Sequence, residues 1–285
     1  MASAFWPYVR GLPFFALIWF LAFMARHLPY TWVKRACLAL GALYYHVAFR
    51  WRALWLARLR ACGLSGREDE ILFKKFQNYI LNLAEIARIA SFRRENFRIY
   101  GRKHLRASAL QGKGGAVLVS IHMGNWELAG AGLALYGFPA TTVAWRSKNP
   151  YIESMQTRRR RAHGIETAHP GEGAMDALLR ALHKGGVVGM MLDVSLPGRG
   201  VDVSFLGREV SFSPSALWLA LGSGAPVLPV FCVREEDGRC RITVLRPCRP
   251  RGTDHIGQDL QMLSRTFERV IMKYPDQYHW LKERA

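Results

Sequence analysis

"VLVSIHMGNWELAG" occupies residues 117–130. An uncharged run of β-branched and aliphatic residues ends on His122. Gly124 and Asn125 then supply turn chemistry, and Glu127 falls in what reads as the first turn of a helix. A buried strand passing through a short polar turn into a helix is the repeating unit of α/β architecture.

The same alternation continues on the carboxyl side. Strand-like runs are predicted at 140–145, 187–193, 226–233 and 240–246. Helical patterns are predicted at 126–136, 151–163, 173–184, 213–222 and 256–273. Ser213 before Pro214 has the chemistry of an N-cap followed by proline at the first helical position. On the amino side, 36–60 reads as one amphipathic helix rich in arginine and aromatics. Beyond the break "GLSGRED" (63–69), Leu72, Phe76, Tyr79, Leu83, Ile86 and Ala90 recur at helical spacing. The expected fold is α/β: a largely parallel central sheet flanked by helices, with a hydrophobic helical anchor at the amino terminus. No repeat or low-complexity tract interrupts it.

That anchor is expected over residues 1–30, ahead of a single unit at 31–285. "LPFFALIWFLAFMA" (12–25) carries no charge, and from Met1 to Ala25 only Arg10 is charged. No basic segment precedes a short apolar core with a cleavage site, so a signal peptide is disfavoured. The uncharged core is shorter than the roughly 20 residues of a full span. It crosses only if extended back to Phe5 with Arg10 snorkelling; otherwise it lies in the interface. Arg26, Lys34, Arg35, Arg50, Arg52, Arg58 and Arg60 follow, interleaved with Trp32, Tyr44, Tyr45, Trp51 and Trp55. Basic residues after the apolar segment place the remainder on the cytoplasmic side, and aromatics suit a headgroup interface.

Forty Lys+Arg against 21 Asp+Glu give a net charge of +19, so anionic partners are expected, whether nucleic acid, a phospholipid surface or an acidic substrate, and charge alone does not choose among them. A non-catalytic basic membrane protein binding anionic lipid or nucleic acid would share that charge, but no nucleic-acid module is recognisable. Five cysteines, none in C-x-x-C, suggest neither a zinc knuckle nor a disulfide framework and fit a reducing compartment.

In open α/β sheets reactive groups gather at the carboxyl ends of strands. His122 and Asp193, in "VVGMMLDVS", both follow apolar strands. His122 and Glu127 either cap a helix or form a general base with an orienting carboxylate, meeting only if the chain bends at Gly124 and Asn125. There is no G-x-S-x-G elbow, no phosphate loop and no H-E-x-x-H. A base without a protein nucleophile points to direct attack by a bound hydroxyl on an activated acyl group. No metal and no cofactor is expected.

"HMGNWE" (122–127) resembles the H-x-x-x-x-[DE] signature of glycerolipid-type acyltransferases. With Trp126 before Glu127, it is similar to the form in the lipid A biosynthesis (late) acyltransferase family. Further similar blocks follow in order: "AWRSKNPYIESMQTRRRRAHG" (144–164), "LDVSLPGRGVDVSFLGRE" (192–209), "GAPVLPVF" (224–231) and "YPDQYHW" (274–280). With the anchor, the likeness covers nearly the whole chain.

The resemblance implies transfer of a fatty acyl chain, usually from acyl carrier protein and with acyl-coenzyme A open as donor, to a hydroxyl of a lipid A precursor at the cytoplasmic face of the inner membrane. Residues 31–285 would then be the acyltransferase domain. His122 would be the general base and Glu127 its orienting partner. Arg146 would bind phosphate or the thioester oxygen, and Asp193 an arginine or the acceptor. Asn149 and Arg158 lie in the matching Asn-Pro and basic blocks and would help bind an anionic glycolipid, with Lys148 and the run Arg158 to Arg161, although that run reads equally as a solvated helix face. Trp126, Trp145, Phe205, Phe212 and Trp218 are candidates for an acyl groove; Tyr278 and Trp280 are expected to pack the carboxyl terminus. Where the family shows D-Q-D-x-G this chain has Asp193-Val194-Ser195, and Leu281 to Arg284 replaces a His-Arg-Arg cluster. Both departures touch acceptor recognition, which keeps another glycolipid, such as a phosphoinositide mannoside, or a lysophospholipid open as acceptor.

Overall fold

The computed structural model describes residues 19–110, 115–171, 173–195 and 198–280. Strands β1 (Phe97–Tyr100), β2 (Ala116–Ser120), β3 (Ala140–Val143), β4 (Glu166–Ala168), β5 (Val187–Met191), β8 (Val227–Arg234) and β9 (Cys240–Val244) form one sheet in the order β1-β9-β8-β2-β5-β3-β4. All neighbours are parallel except the β8–β9 hairpin, so β1 and β9 run against the other five. β2 is central, and Val117 and Val119 are fully buried. Such a two-sided apolar run is what a strand covered on both faces requires.

Helices α4 (Arg102–Leu110), α5 (Trp126–Leu135), α6 (Pro150–Ala162), α7 (Ala174–His183), α8 (Ser215–Ser223) and α9 (Ile256–Lys273) connect and cover the strands. The two faces form two cores. One is built on Val119, Leu192, Phe212, Leu217 and Phe267; the other on Leu118, Leu128, Leu133 and Ile242. Asn125 caps α5, its side-chain oxygen accepting from Leu128 N at 3.3 Å, and Ile256–Lys273 matches the predicted final helix to the residue.

Three expectations need correction. The helix predicted at 36–60 is two, α1 (Tyr30–Val47) and α2 (Phe49–Ala61), broken at Ala48. Neither proline nor glycine breaks it. The bend folds α2 back so that Tyr45 and Trp55 both reach Phe76, at 6.0 and 5.1 Å between ring centroids. α3 (Glu68–Ala87) buries Ile71, Leu72, Lys75, Phe76, Leu81 and Glu85, while Leu83, expected inside, is half exposed. Four strands were missed. β1 and β4 are short sheet edges, and β6 (Val201–Phe205) pairs with β7 (Arg208–Phe212) in a separate hairpin. Its two-residue turn has Leu206 and Gly207 both at positive φ, the left-handed pair a tight hairpin demands.

Of the predicted anchor, residues 1–18 lie outside the described residues. Residues 19–27 are helical, and no helix among the described residues is long and apolar enough to cross a membrane. α1 turns Val33, Cys37, Gly41 and Tyr45 inward. Trp32, Leu40, Leu43 and Val47 face outward, continuing the exposed Trp19, Phe20 and Phe23.

Candidate active site

β2 and β5 are adjacent and parallel, with Ser120 opposite Met191. The ladder continues when Leu192 N donates to Ser120 O at 2.8 Å, bringing the next residues of each strand, His122 and Asp193, face to face. His122 Nδ1 lies 2.8 Å from Asp193 Oδ1, and the backbone N–H of His122 donates to Asp193 Oδ2 at 2.9 Å. One carboxylate thus grips both the ring and the backbone of the same histidine. The Asp193 side chain is 1% exposed and that of His122 19%, so the ring reaches the surface from a buried acid. With Nδ1–H committed to the carboxylate, Nε2 is left as the basic nitrogen; it has no hydrogen-bond partner among the described residues.

Glu127 does not orient the ring. Its two carboxylate oxygens take Arg160, Nε to Oε2 at 3.0 Å and Nη2 to Oε1, so it ties α5 to α6. The expected H-x-x-x-x-E dyad is therefore corrected to a His122–Asp193 pair and a Glu127–Arg160 clamp. At the second position of α5, Glu127 has passed the bend and projects toward α6. Asp193, expected to hold an arginine or the acceptor, holds the histidine instead.

The turn after His122 is pinned from several sides. Gly124 has φ 57°, and a Cβ there would lie 1.9 Å from Cys232 O, so no other residue fits. Gly124 N donates to Gln277 O, His279 N donates to His122 O at 2.9 Å, and Met123 bridges Tyr278. The carboxyl-terminal "QYH" thus runs along the turn after His122 through an isolated antiparallel β-bridge. Tyr278 does pack into the core as expected, yet its hydroxyl also lies 3.4 Å from Asp193 Oδ2. His279 stands 6.4 Å from the His122 ring and 6.0 Å from Trp126, centroid to centroid. Burial, with the nearby charges of Lys75 and His122, pushes the His279 pKa down to about 4. Trp126 packs edge-on to His122 at 4.8 Å.

Behind the turn lies an ion pair that sequence reasoning missed. Glu85 is fully buried and takes Arg234 Nε at 2.8 Å and Nη2 at 2.6 Å. Tyr30 donates to Glu85 Oε1 at 3.0 Å, and Asn125 Nδ2 to Oε2 at 3.1 Å. Arg234 also donates to Asn78 and Asn82, and Asn82 Nδ2 donates to Gly124 O at 2.8 Å. An ionised pair this deep is tolerable only when its hydrogen bonds are satisfied, and here each partner has several.

The remaining expected residues divide. Arg146 follows β3, at the same carboxyl edge as His122, and is exposed. Its loop is tied by Glu153 accepting from Ser147 N at 2.6 Å and by His169 donating from Nδ1 to Ala144 O at 2.9 Å. Asn149 is the N-cap of α6, its side-chain oxygen accepting from Tyr151 N and Ile152 N, so it has a local structural task. Arg158 is exposed, whereas Arg160 of the same run is inside. Among the groove candidates, Phe205 and Phe212 are buried core, while Trp145 and Trp218 are about half exposed.

A histidine with one free nitrogen, seated on a carboxylate at the carboxyl edge of an α/β sheet, is a general-base arrangement that many families share. The family model described as "Bacterial lipid A biosynthesis acyltransferase" matches residues 8–285. The chain belongs to that family. It is an acyltransferase of the lipid A and glycolipid type. A phosphatidylinositol mannoside acyltransferase of Mycobacterium tuberculosis (strain ATCC 25618 / H37Rv) is 26% identical over 291 residues, 98% of this chain and 86% of that protein. The corresponding acyltransferase of Mycolicibacterium smegmatis is 29% identical over 216 residues, 70% of each chain. The lipid A biosynthesis lauroyltransferase of Escherichia coli (strain K12) is 27% identical over 274 residues, 90% of this chain and 86% of that one.

Proposed function

We propose that the protein transfers a fatty acyl chain from an acyl carrier protein thioester to a hydroxyl of a lipid A precursor, working at the cytoplasmic face of the inner membrane. The observation that carries the chemistry is the open Nε2 of His122 backed by Asp193. His122 Nε2 takes the proton of the acceptor hydroxyl as its oxygen attacks the thioester carbonyl. The new C–O bond forms and the carbonyl π electrons move to oxygen. The N–H groups of Trp126 and Glu127, in the first turn of α5 and without protein acceptors among the described residues, are available to that oxyanion, with Arg146 at the same edge. Collapse breaks the C–S bond, and the leaving thiolate recovers the proton from the His122 imidazolium. Asp193 stabilises the imidazolium and fixes its tautomer. No metal, nucleotide or acyl-enzyme enters.

The exposed apolar face of residues 19–47, with Arg26 and Arg35 beside it, supports residence at an anionic lipid surface. The net charge of +19 supports docking of acidic carrier protein. A second acceptor reading, a phosphatidylinositol mannoside, is favoured by the named mycobacterial relatives and by Asp193-Val194-Ser195 standing where the lipid A enzymes carry a second acid. Mass spectrometry of lipids from a deletion strain separates the two: an under-acylated lipid A supports the first, an under-acylated mannoside the second, and an unchanged lipid profile overturns both. In a membrane assay with acyl carrier protein as donor, His122→Ala is expected to abolish transfer; near-normal transfer by that variant would end the mechanism.

A further inference from the structure

Lys75 is 5% exposed, yet among the described residues its ammonium has no carboxylate or hydrogen-bond partner, burial being the one influence on its pKa. It sits 3.7 Å over the centre of the Trp55 indole, with Phe76 at 4.9 Å and Tyr79 at 5.7 Å. Cation–π contact of this kind offsets part of the cost of burying a charge, but it leaves three N–H donors without acceptors. The indole beneath it has a fully buried Nε1 with no hydrogen-bond partner among the described residues. Two neighbouring side chains that can only donate thus share one corner without an acceptor among the described residues. Buried donors are ordinarily satisfied, and those that are not call for an explanation.

The corner abuts the catalytic turn. Tyr79, which shares Lys75 with Trp55, packs at a tilt of 35° on His279, 5.3 Å between centroids, and the backbone N–H of His279 bonds His122 O. Lys75 is also the largest charge acting on His279 after burial itself. A neutral hydroxyl would satisfy the donors but leave the ammonium without a counter-charge in a low-dielectric setting. A phosphate oxygen supplies both. We propose that Lys75 and the Trp55 indole N–H form a phosphate-binding subsite that holds a phosphate of one substrate next to the His122 base. This rests on the acyl-transfer reading for its role. Two sources share the chemistry: the phosphopantetheine arm of the donor and a phosphate on the glycolipid acceptor.

Full-length protein in detergent or nanodiscs tests it with Lys75→Met, which keeps bulk and removes charge, and Trp55→Phe, which keeps a ring and removes one donor. Acyl-phosphopantetheine is compared with acyl-pantetheine as donor, and a phosphorylated with a dephosphorylated glycolipid as acceptor. In one arm the wild type is expected to favour the phosphate-bearing member by about tenfold or more in kcat/KM. Lys75→Met should bring that preference close to unity through KM, and Trp55→Phe should reduce it by a smaller factor, since a charged hydrogen bond is worth roughly twice a neutral one. The arm that responds names the source. No preference in the wild type in either arm, or wild-type preference retained by both variants, overturns the subsite. If no substrate combination gives transfer, the acyl-transfer reading falls. Calorimetric binding of inorganic phosphate to wild type and Lys75→Met then still decides the subsite, and equal binding overturns it.

Discussion

Asp193 accepts from both the ring and the backbone N–H of His122, at 2.8 and 2.9 Å, across the junction of two neighbouring parallel strands. The nearer acid in sequence, Glu127, is spent on Arg160. The two carboxylates therefore have separable roles. Asp193→Asn keeps the shape of the pair but favours the wrong imidazole tautomer, and kcat is expected to fall by about 10²–10⁴ with little change in KM. Glu127→Gln leaves the base intact and loosens α6, so a loss of less than about tenfold in kcat with a lowered melting temperature is expected. Steady-state kinetics of both variants check this; a Glu127→Gln loss as deep as that of Asp193→Asn would reverse the roles.

The buried Glu85–Arg234 pair joins α3, the end of β8, the Asn125 cap and the start of α1. Removing one partner strands a buried charge, so Glu85→Gln or Arg234→Met is expected to destabilise by about 3–5 kcal/mol. Replacing both with apolar residues should cost clearly less than the sum. Chemical denaturation of the two single variants and the double variant measures the difference, and simple additivity would sink the pairing argument.

The strand ends carrying His122 and Asp193 were legible because each closes an apolar run flanked by turn residues, and Asn125 announced the start of α5. Which strands are neighbours was not legible. His122 and Asp193 are 71 residues apart, and only the register of β2 on β5 joins them. Glu127 attracted the assignment by its nearness in sequence and by the family's H-x-x-x-x-[DE] spacing. Lys75 and Glu85 carried a weaker signal: charged residues on the face of α3 that its neighbours Leu72, Phe76 and Leu81 turn inward. A helix counted with Leu83 inside hides both, because the true buried stripe is rotated from the expected one. The hairpin β6–β7 escaped because its partner is itself rather than the main sheet.

His279 gives the fold an acid limit. Its folded pKa of about 4 lies below the ordinary 6.5, so the unfolded chain binds a proton that the native state refuses. The associated stability is fully present above pH 6.5 and is lost as pH falls toward 4, at up to about 1.4 kcal/mol per pKa unit. His279→Phe should flatten the fall in melting temperature between pH 6.5 and 4. An unchanged slope in that variant would assign the acid sensitivity elsewhere.

Lys75 acts in the opposite direction at neutral pH. Burial lowers its pKa from 10.5 to about 8, so below pH 8 the native state carries an ammonium it disfavours. That handicap diminishes as pH rises from 8 to 10.5. Lys75→Met is therefore expected to raise the melting temperature at pH 7, by as much as about 3 kcal/mol in stability, with the advantage gone near pH 10.5. A destabilised Lys75→Met protein at pH 7 would show that the ammonium is held by native interactions instead.

The outward face of residues 19–47 is apolar, which supports the proposed residence at a lipid surface. Trp32 is 68% exposed and Leu43 58%, an apolar patch that water alone does not favour, and Arg26 and Arg35 are exposed alongside. Insertion of each large apolar side chain contributes about 1.5–3 kcal/mol, whereas each basic residue near an anionic surface contributes about 1 kcal/mol. Trp32→Ser with Leu43→Ser should thus lower partitioning onto vesicles of anionic phospholipid at least tenfold, and high salt should remove only the smaller, charge-dependent share. Because these positions lie on the side of α1 opposite Val33 and Cys37, which pack on α3, the melting temperature should hardly move. Sedimentation with vesicles at low and high salt measures both contributions, and partitioning that survives the double substitution but collapses in salt would make the attachment electrostatic.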